Sequence, residues 1–260
     1  MTGVQTCALP ISLHVFGAIV TSNGCAADNR GETEGNITTL QKLLWKDEVH
    51  TTVSSEAVRW ALRYYWQIKG IEVNRNWDDD KNDHTWKDPS WEGWNLSSQK
   101  TYIDDDVLGY MHAEGAKAEV SAEGQETTDT EEATSPKGKP KGRTKKPKGS
   151  ASVRRGVLEI ARAISTTPYA GDISFNSCSG AKGRTSLYGT EMHCTRYQYG
   201  FSMTPERLHE KKRCLSVINA LVGLGEVAGN HSRFLFDFSP ESIVLRITQD
   251  PAPRILYCFE

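Results

Sequence analysis

Two runs of three aspartates offer the most obvious chemistry in this chain: Asp78, Asp79 and Asp80, then Asp104, Asp105 and Asp106. Carboxylate oxygens of this kind hold Mg²⁺ when several converge on one point. Adjacent residues seldom converge, and acids in the stretch YIDDDVLGYM also suit the first turn of a helix. His193 and Cys194 form a second candidate pair, but they fall in a strand-like run, MHCTRYQYGFSM. Neighbours on a strand point to opposite faces, so they cannot act as base and nucleophile together. The glycine-rich segment 180–189 matches neither a P-loop nor GxGxxG.

Binding chemistry is better represented. The stretch SNGCAADNRGETEGNITTLQK (22–42) supplies Gly24, Gly31 and Gly35, with Asn23, Asn29, Asn36 and Thr38. Arg30 and Lys42 add positive charge. Freed backbone N–H groups, amides, hydroxyls and cations together suit phosphate and ribose. A helix beginning near Asn36 and running from about 37 to 45 would add its positive end. The bland alternative is an ordinary capped connection. Further on, Ser54 or Ser55 can cap a helix that Gly70 ends. Val58, Ala61, Leu62, Tyr65 and Ile68 share one face of it, and Arg59 and Arg63 lie one turn apart on its flank. Those arginines could line a phosphate track or merely be solvated.

The elements that must position these groups follow from patterning. Residues 13–20 read as a buried strand. A strand is expected within 153–165, another within 192–203, a helix from Pro205 to about Leu224, and strand-like runs around a Ser-Pro turn in RFLFDFSPESIVLRIT. The last residues, RILYCFE, also read as a strand. Between them, 71–112 is rich in Trp, Asp and Asn, and 113–150 has the composition of a disordered acidic-then-basic linker. Setting the insertions aside, the order gives an α+β class: a ferredoxin-like, RNA-recognition-motif-like antiparallel sheet with one face free for a ligand.

Length and charge set limits. The chain has 260 residues and a formal net charge of -2, so charge distribution matters more than its sum. No apolar run approaches the roughly 20 residues of a membrane span. The scattered cysteines form no CxxC pair, which favours reduced thiols and a cytoplasmic setting over disulfides or zinc. Residues 1–11, MTGVQTCALPI, read as the translation of a sequencing adapter and are set aside.

SLHVFGAIVTSNGCAADNRGETEGNITTLQK, VHTTVSSEAVRWALR, YIDDDVLGYM, TEMHCTRYQYGF and GEVAGNHSRFLFDFSPESIVLRITQDPAPR together resemble the DevR-type CRISPR-associated autoregulator family. The resemblance runs from about residue 12 to 260, outside the linker. It implies the repeated, non-catalytic backbone subunit of a type I CRISPR effector complex (Cascade). Its partners would be guide RNA, target DNA through the guide, copies of itself in a helical filament, and other effector subunits. No cofactor or membrane is implied. It further implies a palm (12–70 and 153–260), a finger insertion (71–152) and a thumb loop (167–190). Ser54, Ser55, Arg59 and Arg63 would then be phosphate contacts, with Asn23, Asn29, Arg30, Asn36, Thr38 and Lys42 on the guide backbone. Arg184, His193, Arg196, Asn230, His231 and Arg233 complete the expected RNA-binding set. Two other functions remain open: a metal-dependent ribonuclease using Asp172 in the thumb, as in type III backbones, and a DNA-binding autoregulator. The second lacks a visible helix-turn-helix.

Overall fold

The computed structural model describes residues 12–27, 33–95, 100–113, 151–178, 186–228 and 235–259. The expected linker, 113–150, falls outside them apart from its first residue. So do the expected site residues Asn29, Arg30, Arg184, Asn230, His231 and Arg233.

In chain order the strands are β1 (His14–Thr21), β2 (Gly24–Ala26), β3 (Thr33–Glu34), β4 (Ile37–Thr38), β5 (Lys42–Trp45) and β6 (Glu48–Val53). Helix α1 (Ser55–Ile68) follows, then β7 (Arg75–Asp78), β8 (Asp83–Trp86), α2 (Glu92–Asn95) and α3 (Ile103–Leu108). Next come β9 (Gly109–Ala113), β10 (Ala151–Arg155), β11 (Leu158–Ile160), β12 (Ala163–Ser165), β13 (Asp172–Cys178), β14 (Ser186–Thr195) and β15 (Tyr197–Met203). A single 3-10 turn (Pro205–Arg207), α4 (Arg213–Val222) and β16 (Pro240–Thr248) complete the order.

The molecule is mixed α/β, and antiparallel pairing dominates. The largest sheet has the order β16-β1-β15-β12-β6-β5, with β11 also pairing β15. β1 is apolar on both faces (HVFGAIVT) and sits centrally, paired on either side by β15 and β16. Its Val15 and Ile19 join the main core with Tyr197, Tyr199, Phe201 and Met203 of β15. Val58, Ala61, Leu62 and Trp66 of α1 and Val217, Ala220 and Leu221 of α4 close that core. Helical spacing places Val58, Ala61 and Leu62 on this face as expected, but Trp66 takes the next buried position, Tyr65 is only partly buried and Ile68 is exposed. Truncating a fully buried ring such as Trp66 costs about 3–5 kcal/mol.

A second sheet, β13-β14-β4-β3, is carried by the long β14, which also pairs β2. β7 pairs β8, and β9 pairs β10. By internal packing the chain divides into a unit of residues 1–110 with 155–260 and a second unit of 111–154. Residues 71–110 belong to the first, and Val73, Ile103, Val107 and Leu108 sit in its core.

Several expectations need correction. Residues 37–45 form no helix: they are β4 and β5. Lys46 and Asp47 both have positive φ (50° and 67°), and Trp45 faces Glu48 across the turn. That is the two-residue hairpin geometry that matches strand twist. The polar segment therefore ends in a hairpin, and no helix dipole begins near Asn36. The helix expected from Pro205 to Leu224 is broken. Asp106 captures the backbone N–H groups of His209 and Glu210 (3.0 and 3.2 Å), so those residues turn and α4 starts only at Arg213. The final residues form no strand. Pro251 and Pro253 supply no N–H donors, and Arg254 and Tyr257 have positive φ. Among the described residues around the Ser-Pro turn, only the second run is a strand, β16; Phe236 and Phe238 are buried without joining a ladder.

The sheet face away from α1 is also not open throughout. Arg246 of β16 lies over the Phe16 ring at 5.9 Å and donates to Ala252 O at 2.6 Å. Tyr257 Oη donates to Arg162 O at 2.8 Å. The last residues are thereby strapped over β15, leaving a cavity of about 310 Å³ lined by Phe16, Gly200, Pro251, Pro253 and Leu256.

Candidate nucleic-acid interface

The aspartate runs serve structure. Asp104, Asp105 and Asp106 fill the first turn of α3, as their sequence context suggests, and all are buried. Each reaches a different neighbour. Asp104 accepts from the backbone N–H groups of Asn74 and Arg75 (2.7 and 3.1 Å). Asp105 accepts from Asn74 Nδ2 and Trp91 Nε1 (2.9 and 3.1 Å). Asp106 takes Arg213 Nη1 at 2.7 Å besides the two backbone donors. One helical turn thus ties down the start of β7, the Trp91 turn and the start of α4. Asp78 and Asp79 are used in the β7–β8 hairpin, by Lys81 and by the Trp77 indole. Among the described residues, no three His, Cys, Asp or Glu side chains converge as metal ligands would.

β14 gathers part of the expected binding set. Asn36 is exposed, and its carbonyl accepts from Gly189 N of β14 at 2.8 Å. Thr38 lies in register with Thr190. Lys42 donates to both oxygens of Glu191 (2.7 and 2.6 Å) and sits 4.6 Å from the Tyr169 ring centroid. Glu191 also accepts from Leu40 N. Burial works against its ionised form, but the Lys42 and Leu40 donors win and hold its carboxyl below the usual range. Burial, then the Glu191 charge, pushes the Tyr169 phenol up to about 12.

His193 and Cys194 do point to opposite faces: His193 is buried and Cys194 exposed. His193 Nδ1 bonds Thr51 Oγ1 at 2.8 Å, and Nε2 bonds Pro168 O at 3.1 Å. Burial lowers its pKa, which favours the neutral ring. Its role in this geometry is to anchor the turn at 167–169. Arg196 is half-exposed and pairs with Glu241 at 2.9 Å.

At α1, Ser54 is the N-cap, its Oγ accepting from Ala57 N at 3.2 Å. Ser55 Oγ donates to Glu56. Arg59 donates to Leu108 O, and the Arg63 Nε lies 3.7 Å from Asp104. Burial lowers the Arg63 pKa to about 10 against the pull of Asp104. The two arginines therefore brace α1 against α3. Asn23 stays exposed at the β1–β2 turn.

Two further residues join this region. Arg162 donates to Gln41 Oε1 and Thr52 Oγ1 (2.8 and 3.3 Å), and it acts on Glu56 in the first turn of α1. It thus links the β5 side of the interface to the capped end of α1. Tyr169 completes the Lys42–Glu191 cluster. Arg162 was hidden by its apolar neighbours in EIARAIS, and Tyr169 by a turn-rich context; only their fold partners mark them.

No family model matches the sequence. In fold, the chain resembles a chain of a solved CRISPR RNA-guided surveillance complex in its pre-nicking state, with a TM-score of 0.51. That likeness covers 89% of this chain and 77% of that one at 9% identity, so it speaks to fold alone. In sequence, the chain is 52% identical to the CRISPR-associated protein Cas7/Cst2/DevR of Myxococcus xanthus (strain DK1622) over 260 residues, covering 96% of this chain and 77% of that protein. The chain belongs to the Cas7/Cst2/DevR family of CRISPR-associated proteins.

Proposed function

We propose that this protein is the guide-RNA-binding backbone subunit of a type I CRISPR effector complex. It contacts target DNA through the guide, other subunits of the effector complex, and copies of itself along the RNA. The observation that carries this reading is the 52% identity to a Cas7/Cst2/DevR protein across nearly the whole chain. The strand order β16-β1-β15-β11/β12, with α1 and α4 as the two crossovers, supports a ferredoxin-like palm. In this reading β13 and the start of β14 belong to the thumb, and the finger insertion begins at residue 71, with residues 71–110 packed into the core of the palm's own unit.

The interface is a polar strip rather than a catalytic centre. The residues assigned to it are Asn23, Asn36, Thr38 and Lys42 between β1 and β5, and Ser54, Ser55 and Arg162 around the first turn of α1. Groups of these kinds contact phosphates and 2′-hydroxyls without reading bases. Arg59 and Arg63 keep α1 in place, and Arg59 can share its remaining donors with a phosphate. The role proposed for the protein is binding rather than catalysis; Asp172, the candidate ribonuclease residue, is exposed beside Gly171 at the start of β13.

Assembly on RNAs of increasing length tests the reading. Native mass spectrometry should show the number of copies rising stepwise with RNA length, and no cleavage in Mg²⁺ or Mn²⁺. A single copy per RNA at every length would refute the backbone role. Metal-dependent cleavage lost in Asp172→Ala would replace it with the ribonuclease.

A further inference from the structure

Cys25 on β2 and Cys194 on β14 are directly opposite each other in antiparallel register. Residues so placed share a face of the sheet, with Cα atoms about 4.5–5.5 Å apart. A disulfide accepts Cα separations of about 4.4–6.8 Å, so the register alone brings the pair within bonding reach. The Cys194 side chain is also close enough to act on the Cys25 thiol. Both are free, Cys194 exposed and Cys25 half-buried.

We propose that Cys25 and Cys194 form an oxidative modification site, a cross-strand dithiol converted to a disulfide by a small-molecule disulfide such as oxidised glutathione. The exposed Cys194 reacts first. Its thiolate attacks one sulfur of the oxidant, the oxidant's S–S bond breaks, and one glutathione leaves with the electron pair and takes up a proton. Cys25 then loses its proton to solvent and attacks Cys194 Sγ. The mixed disulfide breaks and the second glutathione leaves. Two protein thiols are oxidised to one disulfide, and one glutathione disulfide is reduced to two thiols. The order follows from access. Burial first, then Cys194, pushes the Cys25 thiol up to about 11, so Cys25 is a poor first nucleophile for a free oxidant.

The bond would tie two parts with separate jobs. β2 lies in the polar segment after β1, and β14 forms the hairpin with β13. Oxidation would lock that segment to the base of the hairpin, and reduction would release it. The chemistry does not depend on RNA being the ligand.

The experiment treats the full chain with oxidised glutathione, quenches it with a thiol alkylator, and maps tryptic peptides by mass spectrometry. A Cys7→Ser background is used, because no tryptic site separates Cys7 from Cys25. The expected product is a Cys25–Cys194 cross-linked peptide that disappears on reduction, while Cys214 and Cys258 are alkylated at least tenfold more. In Cys25→Ser, Cys194 should stop at the glutathione mixed disulfide. A stable mixed disulfide on Cys194 with Cys25 still alkylated in the Cys7→Ser chain would overturn the proposal. So would a Cys194 cross-link to any other cysteine.

Discussion

Arg213 on α4 donates to Asp106 on α3 at 2.7 Å, with both side chains buried. The same guanidinium also donates to Thr101 Oγ1 and Thr101 O. Asp106 is in turn the acceptor that stops the 3-10 turn from running into α4. A buried pair adds little net energy against an apolar substitute, but removing one partner strands the other charge. Arg213→Ala and Asp106→Ala should each lower stability by about 3–5 kcal/mol. Urea unfolding of the two single variants and the double variant measures it; the double should cost much less than the sum.

Asp105 gives a pH signature. Burial first, and the Asp104 charge second, push its carboxyl up to about 7. Its unfolded value is about 3.9. Between those values the folded state holds a proton that the unfolded state has lost. Stability from this group is therefore fully present below about pH 4 and declines as pH rises through about 7. Thermal unfolding from pH 4 to 8 should show that decline, superposed on the other groups. In Asp105→Asn the decline between pH 5 and 7 should flatten. An unchanged slope in the variant would assign the effect elsewhere.

Much of the frame can be read from the sequence, for identifiable reasons. β1 shows because a strand buried on both faces is apolar throughout. The limits of α1 show because Ser54 caps it and Gly70, at φ 72°, follows its end. The acids of α3 show as first-turn residues, but their partners do not, because Arg213 is more than 100 residues away from Asp106 in sequence. β5 was obscured because QKLLWKDEV lacks the Asn-Gly or Asp-Gly signal of a tight hairpin, though Lys46 and Asp47 adopt that geometry. In the site, residue types were legible and environments were not. Arg59 and Arg63 have the right charge and spacing for a phosphate track, yet only the fold shows that Arg63 is largely enclosed beside Asp104.

That enclosure separates two arginines by experiment. Arg63→Ala should lower stability by about 1–3 kcal/mol, because it leaves buried Asp104 with one cation fewer. Arg196→Ala should change stability by less than about 1 kcal/mol, since its pair with Glu241 is half-exposed. Arg196→Ala should still weaken RNA binding several-fold. Differential scanning calorimetry alongside filter binding distinguishes the two effects.

The most direct measurement is the affinity for single-stranded RNA of unrelated sequences across a range of salt. Backbone binding predicts log affinity falling linearly with log salt, by about 0.7 for each phosphate contacted, with the same slope for every sequence. Affinity indifferent to salt, or confined to one sequence, would contradict a guide-binding backbone subunit.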